Sequence, residues 1–325
     1  MRIKLLSSER TFVMGCAMIL VMFYHAPWLN HPLIFPLRLY GLFGVDIFFF
    51  LSGYGIAHAL SKNDSLKHFA YRRTIRLVPS CLLIGTLAVA SCHLLPTEYN
   101  LGHPNWLMLI SLNRWFIVTL IIYYALSPLL LRSIRSHPRS TIICTYACSI
   151  LLINVPLYET VIAWSAARLP VYVLGLALGC GAWSPQGKQW WALCGLLVAG
   201  LSLRFWLAYT QQWYDHQFWN LGTFVLLSPG IIALTQGLSW LGNYFTLRNK
   251  RLRLLHRAIV LIGTCSLEIY LSHEYLYSII TTFSHHHPDM SGWYLLGMGL
   301  TIGILTGILL NLIIKRLIDF TGLKI

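Results

Sequence analysis

The chain has 325 residues, of which 57% are hydrophobic and only 10% are charged, and its mean hydropathy is +0.64. A soluble globular protein carries about a quarter charged residues, so this composition excludes a fold whose main solvent is water. The net charge of +14 would suit a nucleic-acid binder. The basic residues, however, lie in short clusters between apolar runs, and we expect membrane lipids rather than a nucleic acid as partners.

Apolar runs of membrane-crossing length recur along the whole chain. A spanning helix needs roughly 20 mostly apolar residues, and ten runs meet or approach that length. In chain order they lie at Thr11–Leu29, Leu39–Leu60, Ile75–Leu95, Trp115–Leu131, Thr141–Val155, Val161–Trp183, Gln189–Tyr209, Leu221–Leu241, Ala258–Ile280 and Trp293–Ile314. The sequence therefore predicts an all-α fold, a polytopic membrane bundle of about ten transmembrane helices that forms a single domain over residues 1–325.

Basic residues alternate in density from one inter-span segment to the next. Twenty of the 24 Lys and Arg residues fall in the N-terminal segment, in alternate loops and in the C-terminal tail. The other side receives only Arg38, Arg114, Arg168 and Arg204. Because positively charged loops stay in the cytoplasm, this pattern predicts that both termini are cytoplasmic. The first apolar run has no small-residue cleavage site after it, so we expect a retained helix and not a signal peptide.

Two ionisable residues lie in the first two predicted spans at similar depth. His25 is 15 residues beyond Arg10, about 22 Å along a helix, and Asp46 enters the second span from the same outer side. An ionisable group inside a membrane is costly and is a functional candidate by default. Because the two spans are joined by a short connection, a contact in which Asp46 orients His25 as a general base is geometrically possible. A polar pair that only ties two helices together is an equal alternative.

Three arginines enter the third predicted span within the segment KHFAYRRTIRLVP. Arg76 shares a helical face with Arg72 and Arg73, which precede it by four and three residues. Guanidinium groups can each donate two hydrogen bonds to phosphate oxygens, so the cluster suits a nucleotide-like cofactor. Charge that only sets the topology is the alternative, and it is favoured when this cluster is considered alone.

The later spans carry further ionisable residues inside apolar sequence. SLEIYLSHEYLY contains Glu268, His273 and Glu274, and Arg168 lies deep enough in the sixth predicted span to require a partner. The segment HHHPDM could attract a divalent metal, but adjacent imidazoles on an outer loop are more often solvent-exposed. We therefore expect no metal site, and the eight cysteines form no framework for zinc or disulfides.

Several of these segments, in their order along the chain, resemble the acyltransferase-3 family of membrane acyltransferases. They are FYHA, GVDIFFFLSGYGIA, FAYRRTIRLVP, RWFIVTLIIYYALSPLL, RLPVYVLGLALG and SLEIYLSHEYL. Apolar aromatic strings recur in membrane helices, so each segment alone is a weak indicator. Together they span nearly the whole chain and are fairly specific.

The resemblance implies an enzyme that takes an acyl group, usually acetyl from cytoplasmic acetyl-CoA, and delivers it to a hydroxyl of a cell-surface or lipid-linked glycan. It implies a multi-pass protein of a bacterial inner or plasma membrane. The donor would be acetyl-CoA or another acyl-CoA, and the acceptor would be a saccharide.

The resemblance also implies roles for individual residues. The family's functional positions map onto His25, Asp46, Ser52, Gly53, Arg73, Arg76 and His273. His25 would be the general base or the nucleophile, and the arginines would hold the CoA phosphates. The family usually has an arginine eleven residues before the histidine, where this chain has Met14; Arg10, one turn earlier, is the candidate substitute.

A transporter or flippase is the alternative from a different functional class. Intramembrane His, Asp, Glu and Arg side chains would then form a proton or substrate pathway. The sequence shows no repeated halves and no matching pair of Gly/Pro-broken helices, which disfavours this reading. Release of free CoA discriminates the two, because a transporter has no reason to cleave a thioester.

Overall fold

The computed structural model describes residues 4–29, 33–61, 65–95, 106–110, 115–153, 161–210, 225 and 227–322, and in these residues every regular element is helical. This confirms the all-α prediction. The helices are α1 (Lys4–Ser8), α2 (Arg10–His25), α3 (Ile34–Leu39), α4 (Leu42–Ser61), α5 (Leu66–Leu94), α6 (Trp106–Leu109), α7 (Trp115–Ser136), α8 (Pro138–Ile153), α9 (Val161–Gly179), α10 (Lys188–Tyr209), α11 (Gly230–Leu247), α12 (Lys250–Thr264), α13 (Ser266–His285) and α14 (Gly292–Phe320).

Six segments in the described part of the chain are long and apolar enough to cross a membrane, by length and composition. They are Ile34–Ser61, Leu66–Leu94, Trp115–Ser136, Val161–Gly179, Lys188–Tyr209 and Gly292–Phe320. The bent pair α12 and α13 gives a seventh if it counts as one span, and α2 and α8 are shorter apolar helices. Of the eighth predicted span, residues 221–224 and 226 lie outside the described residues, and α11 begins only at Gly230.

The helix α2, which forms the first predicted span, ends at His25 because of the proline that follows. A residue before proline is driven out of the helical region, and Ala26, which precedes Pro27, has φ −72° and ψ 103°. The predicted span continued to Leu29. The shorter helix leaves His25 in the last turn, where its side chain reaches the end of the bundle.

The ninth predicted span, Ala258–Ile280, is not one continuous helix. The chain bends by 79° between α12 and α13, at Cys265. Just before the bend, Gly263 lies so close to α2 that an added Cβ would be 2.0 Å from the carbonyl oxygen of Thr11. The prediction was wrong here because the apolar run continued through the bend, and hydropathy alone carries no signal of a crossing helix.

The centre of the bundle is the contact between α4 and α9. Three glycines bring the two backbones together: a Cβ at Gly53, Gly175 or Gly179 would lie 2.2–2.5 Å from a carbonyl oxygen of the facing helix. Small residues allow this close approach, which replaces the hydrophobic effect as a source of helix association inside a membrane. The helix α4 is apolar all round and mostly buried, as expected for the central element.

The remaining helices surround this pair and place the functional side chains. The helix α2 packs on α4 and also contacts α12 and α13, while α5 and α14 pack against α13, and α7 and α8 pack against α9. The helices α2 and α13 are therefore neighbours that carry residues from one end of the bundle to the other.

Candidate functional site

A cavity of about 110 Å³ at the start of α2 collects three arginines. Its lining comprises Arg10, Met14, Phe48, Ser52, Arg73, Arg76, Leu77, Phe116, Leu120, Tyr124, Ser266, Leu267 and Tyr270. We call it the arginine cavity. Two of its arginines come from α5, where they are one turn apart, and the third comes from the first turn of α2. The rest of the lining is apolar or aromatic with two serine hydroxyls.

The side chain of Arg10 is held in the arginine cavity by its neighbours on α4. Its Nη2 donates a hydrogen bond to the carbonyl oxygen of Leu51 at 3.1 Å. A Cβ at Gly55 would come within 2.5 Å of the Arg10 guanidinium, so the absence of a side chain at Gly55 makes room for it. Met14, at the position of the family arginine, lines the same cavity. Arg10 therefore supplies a guanidinium to the cavity that an arginine at position 14 would also line.

The arginine cavity is strongly positive. Arg73 stacks over the rings of Phe69 at 5.5 Å and Tyr124 at 5.4 Å, and Arg10 experiences the charges of both Arg73 and Arg76. The described residues that line the cavity include no acidic side chain. Three guanidinium groups gathered on an apolar wall suit a polyanion such as a phosphate ester.

Only some of the predicted cofactor-binding residues line the arginine cavity. Ser52 lies in the lining, as do Arg73 and Arg76, whereas Arg72 and Gly53 are not among the described lining residues. Gly53 faces α9 instead, where a Cβ would lie 2.3 Å from the carbonyl oxygen of Tyr172. A glycine is therefore required at this position by the close packing of α4 on α9.

His25 and Glu274 lie together in an open cleft at the other end of α2. His25 Nε2 is 3.3 Å from Glu274 Oε1, and their side chains are 26% and 31% exposed. The cleft has a volume of about 410 Å³ and is lined by His25, Pro27, Glu274, Tyr277, Ser278, Thr281, Thr282 and His285. We call it the histidine cleft. Its partial exposure lets a ligand reach the histidine.

Hydrogen bonds around His25 favour one tautomer. Its Nδ1 lies 3.0 Å from the carbonyl oxygen of Val21 and 3.1 Å from Nε2 of His273. The Nδ1 of His273 lies 2.7 Å from the carbonyl oxygen of Tyr270. Because carbonyl oxygens only accept, both Nδ1 atoms carry protons, and His273 Nε2 is then an acceptor for His25. In the neutral ring this leaves the unprotonated Nε2 of His25 facing Glu274, whose carboxylate would stabilise the imidazolium that forms when Nε2 takes a proton.

Asp46 does not reach His25; its partner is Arg168. Its Oδ1 lies 3.2 Å from Nε of Arg168, and both side chains are buried. Gly44 faces α2, where a Cβ would lie 2.4 Å from the carbonyl oxygen of Ala17. Asp46 follows two residues later, about 200° further around the helix, and so points away from α2 toward α9. The predicted contact is wrong because similar depth does not imply a shared face, and Glu274 is the carboxylate beside His25.

The buried cation Arg168 is enclosed by aromatic rings as well as by Asp46. Its guanidinium carbon lies 4.9 Å from the ring centroids of both Trp115 and Trp164. Arg204 is also fully buried and lies 4.8 Å from the ring of Phe43. Arg168 thus has the partner that its depth required, and the cluster ties α4, α7, α9 and α10 together.

Glu268 lies in the first turn of α13 and is bound by side chains of two neighbouring helices. Ser80 Oγ donates to its Oε1 at 2.8 Å, and Asn311 Nδ2 donates to its Oε2 at 3.0 Å. These bonds link α13 to α5 and α14. Both oxygens of the buried carboxylate thus have hydrogen-bond donors, and this is enough to explain an acidic residue at this position.

The arginine cavity and the histidine cleft are joined by α2 and α13. Arg10 and His25 are 15 residues apart on α2, about 22 Å along the axis. On α13, Tyr270 lines the cavity and Glu274 lines the cleft. Between them lies His273, fully buried, with its ring 5.7 Å from that of Tyr270 and 4.8 Å from that of His25.

From the sequence, Glu274 was a candidate site residue whose partner could not be assigned. Three tyrosines that line the cavity or the cleft were not predicted: Tyr270, Tyr124 and Tyr277. The adjacency of His273 and Glu274 at the depth of His25 was the available signal. His25, His273 and Glu274 also form a group whose ligand atoms lie within 4.8 Å of one another, as a metal site requires. The 3.1 Å contact between His25 Nδ1 and His273 Nε2 is hydrogen-bond geometry, and a shared cation would require the rings to turn.

A helical membrane bundle with a basic cavity at one end and a paired, accessible histidine at the other has the form of a multi-pass membrane enzyme. The model of the acyltransferase-3 family, described as an acyltransferase domain, matches residues 13–312. The chain belongs to this family and is an acyltransferase. No curated protein and no solved structure matched the chain.

Proposed function

We propose that this enzyme is an O-acetyltransferase that takes an acetyl group from acetyl-CoA at the arginine cavity and delivers it to a glycan hydroxyl in the histidine cleft. The observation that carries the proposal is the pairing of His25 Nε2 with Glu274 at 3.3 Å in an open cleft, about 22 Å along α2 from a cavity with three arginines.

The donor end is supported by the charge and lining of the arginine cavity. Arg10, Arg73 and Arg76 would donate hydrogen bonds to the phosphates of CoA, each of which is worth about 1.5–3 kcal/mol when one partner is charged. The apolar walls suit the thioester arm, which would enter between α2 and α13 toward the buried ring of His273. The whole lining comes from five packed helices, so the cavity is formed without a separate domain.

The chemistry at the acceptor end needs one base. His25 Nε2, assisted by Glu274, would take the proton of the acceptor hydroxyl as its oxygen attacks the thioester carbon. The carbon–sulfur bond breaks, a carbon–oxygen ester bond forms, and CoA leaves as the thiolate, which regains a proton. A route through an acetyl-histidine uses the same nitrogen as the nucleophile. In both routes His273 orients the ring.

The acceptor side is supported by a polar stripe on α13. Glu274 is followed at helical spacing by Ser278, Thr281 or Thr282, and His285, and all of them line the histidine cleft. A polar face of this kind suits a hydrated groove and a polyhydroxyl ligand better than lipid. The acceptor would be a cell-surface or lipid-linked saccharide.

The proposal includes the topology that the basic residues predict. Ten spans with both termini in the cytoplasm place the arginine cavity at the cytoplasmic side and the histidine cleft outside, in a bacterial inner or plasma membrane. Acetyl-CoA and the external glycan would then reach opposite ends of one site.

The experiment that tests the function is thioester turnover by the purified chain in nanodiscs. With acetyl-CoA and surface glycan extracted from cells lacking the gene, we expect free CoA to appear in proportion to acetyl ester on the glycan. A transporter or flippase would move glycan without releasing CoA. Absence of both CoA release and glycan acetylation with correctly folded protein would refute the proposal.

The substitution of Arg10 for the family arginine has its own test. Arg10→Ala should weaken acetyl-CoA binding about tenfold or more, the effect of one lost charge-assisted hydrogen bond. Adding Met14→Arg in the same chain should restore much of the affinity, because Met14 lines the same cavity. If Arg10→Ala binds acetyl-CoA like the wild type, Arg10 is only a packing residue.

A further inference from the structure

The helix α12 has three different faces. Its residues Leu252, His256, Ile259 and Gly263 repeat at helical spacing and face the protein. Lys250, Arg253 and Arg257 repeat at i, i+3 and i+7 on a second face, and Leu254, Ala258 and Leu261 at i, i+4 and i+7 on a third. The basic and apolar faces are both exposed, with Leu254 69% and Leu261 46% accessible.

The orientation of α12 fits a position in the membrane interface. It makes an angle of 79° with α13, and α13 runs with α2 from the arginine cavity to the histidine cleft. The helix α12 therefore lies close to the plane of the membrane, at the end of the bundle that holds the arginine cavity. There its apolar face can enter the acyl region while its basic face stays at headgroup level.

The protein-facing side of α12 is fixed firmly to α2. A Cβ at Gly15 would lie 2.0 Å from the carbonyl oxygen of Ile259, so the two backbones are in direct contact. His256 Nε2 lies 2.8 Å from Glu9 Oε2, and its ring stacks on that of Phe12 at 5.0 Å. These contacts fix the rotation of α12 about its axis, so that its basic and apolar faces point away from α2.

A groove of about 590 Å³ runs along the basic side and is lined by Lys250, Arg251, Arg253, Leu254 and Arg257. The segment KRLRLLHRAIVLIGT contains no acidic residue. We propose that this groove binds the phosphate headgroups of anionic phospholipids, with α12 lying in the membrane interface. Charge complementarity selects the headgroup, and the neighbouring exposed leucines select a lipid over a soluble anion.

The test is native mass spectrometry of the purified chain in mixed phosphatidylglycerol and phosphatidylcholine. The variant Lys250→Gln/Arg253→Gln/Arg257→Gln should lose preference for phosphatidylglycerol by at least tenfold, because each basic residue near an anionic surface strengthens binding about fivefold. The matched control Arg132→Gln/Arg139→Gln/Lys188→Gln removes three exposed charges that lie outside the groove, and it should lose much less of the preference than the groove variant. Equal retention of phosphatidylglycerol by both variants and the wild type would overturn the proposal.

Two further measurements make the result specific. Arg253→Lys/Arg257→Lys keeps the charge and should retain phosphatidylglycerol, which separates loss of charge from loss of folding. In nanodiscs of phosphatidylcholine alone, the triple glutamine variant should bind acetyl-CoA within about twofold of the wild type. A tenfold loss there would mean that the groove binds the phosphates of the donor, and the lipid assignment would be wrong.

Discussion

Replacing His25 by alanine removes the nitrogen on which the proposed chemistry depends. Loss of a general base costs about 10²–10⁴ in rate, so His25→Ala should lower turnover per folded molecule by at least 100-fold. The structural cost is smaller, because the contacts of Nδ1 with Val21 and His273 and of Nε2 with Glu274 are each worth about 1 kcal/mol net. Binding of acetyl-CoA at the distant arginine cavity should not change.

The assay is release of free CoA in nanodiscs, normalised to folded protein measured by size-exclusion chromatography. His137→Ala, at an exposed histidine between α7 and α8, is the matched control and should behave like the wild type. Glu274→Gln keeps the shape but removes the carboxylate charge that would stabilise the imidazolium, and its turnover should lie between that of His25→Ala and the wild type. If folded His25→Ala protein turns over within tenfold of the wild type, the base assignment is wrong and His273 is the next candidate.

Three more predictions follow from the charges of the bundle. Arg73→Ala should weaken acetyl-CoA binding by about 1.5–3 kcal/mol in calorimetry, while Arg132→Ala should not; equal affinities would leave Arg73 with only a topogenic role. Asp46→Asn should destabilise the protein by about 3–5 kcal/mol by leaving its buried arginine partner without a carboxylate, yet keep turnover per folded molecule; normal thermal stability would contradict the ion pair. An epitope tag at Arg135 should be detected only in permeabilised cells and one at His286 in intact cells; the reverse would overturn the topology.

The sequence could predict the positions of most helices because apolar length is a property of each segment alone. It placed α7, α10 and α14 within a few residues of their starts. It failed at the ninth predicted span, since the bend at Cys265 depends on the crossing of α12 over α2. A basic amphipathic pattern in KRLRLLHR was the available signal, and the apolar residues that follow obscured it.

The sequence could place His25 by depth but could not identify its partner. Depth follows from counting residues along a helix, whereas the direction of a side chain depends on how two helices are rotated against each other. Gly44 facing α2 turns Asp46 toward Arg168, and Glu274 takes the position beside His25. The roles of these residues in catalysis stay predictions.

Part of the arginine cavity could be predicted from local sequence spacing, and part depends on how distant helices pack. The spacing of Arg73 and Arg76 predicted that they share a face, and both line the cavity. The side chain of Arg10 reaches the same cavity by passing Gly55 of α4, which is 45 residues away in the sequence. No local pattern reports which residue on a distant helix leaves room for a side chain.

Transfer of the acetyl group from one side of the membrane to the other can be tested in oriented proteoliposomes. Acetyl-CoA carrying a labelled acetyl group is supplied only on the side of the N-terminus, and saccharide acceptor is supplied only on the other side. We expect free CoA on the first side and labelled acetyl ester on the acceptor across the membrane, with both lost in His25→Ala. Labelled ester that forms only when donor and acceptor share one side would contradict transfer across the membrane.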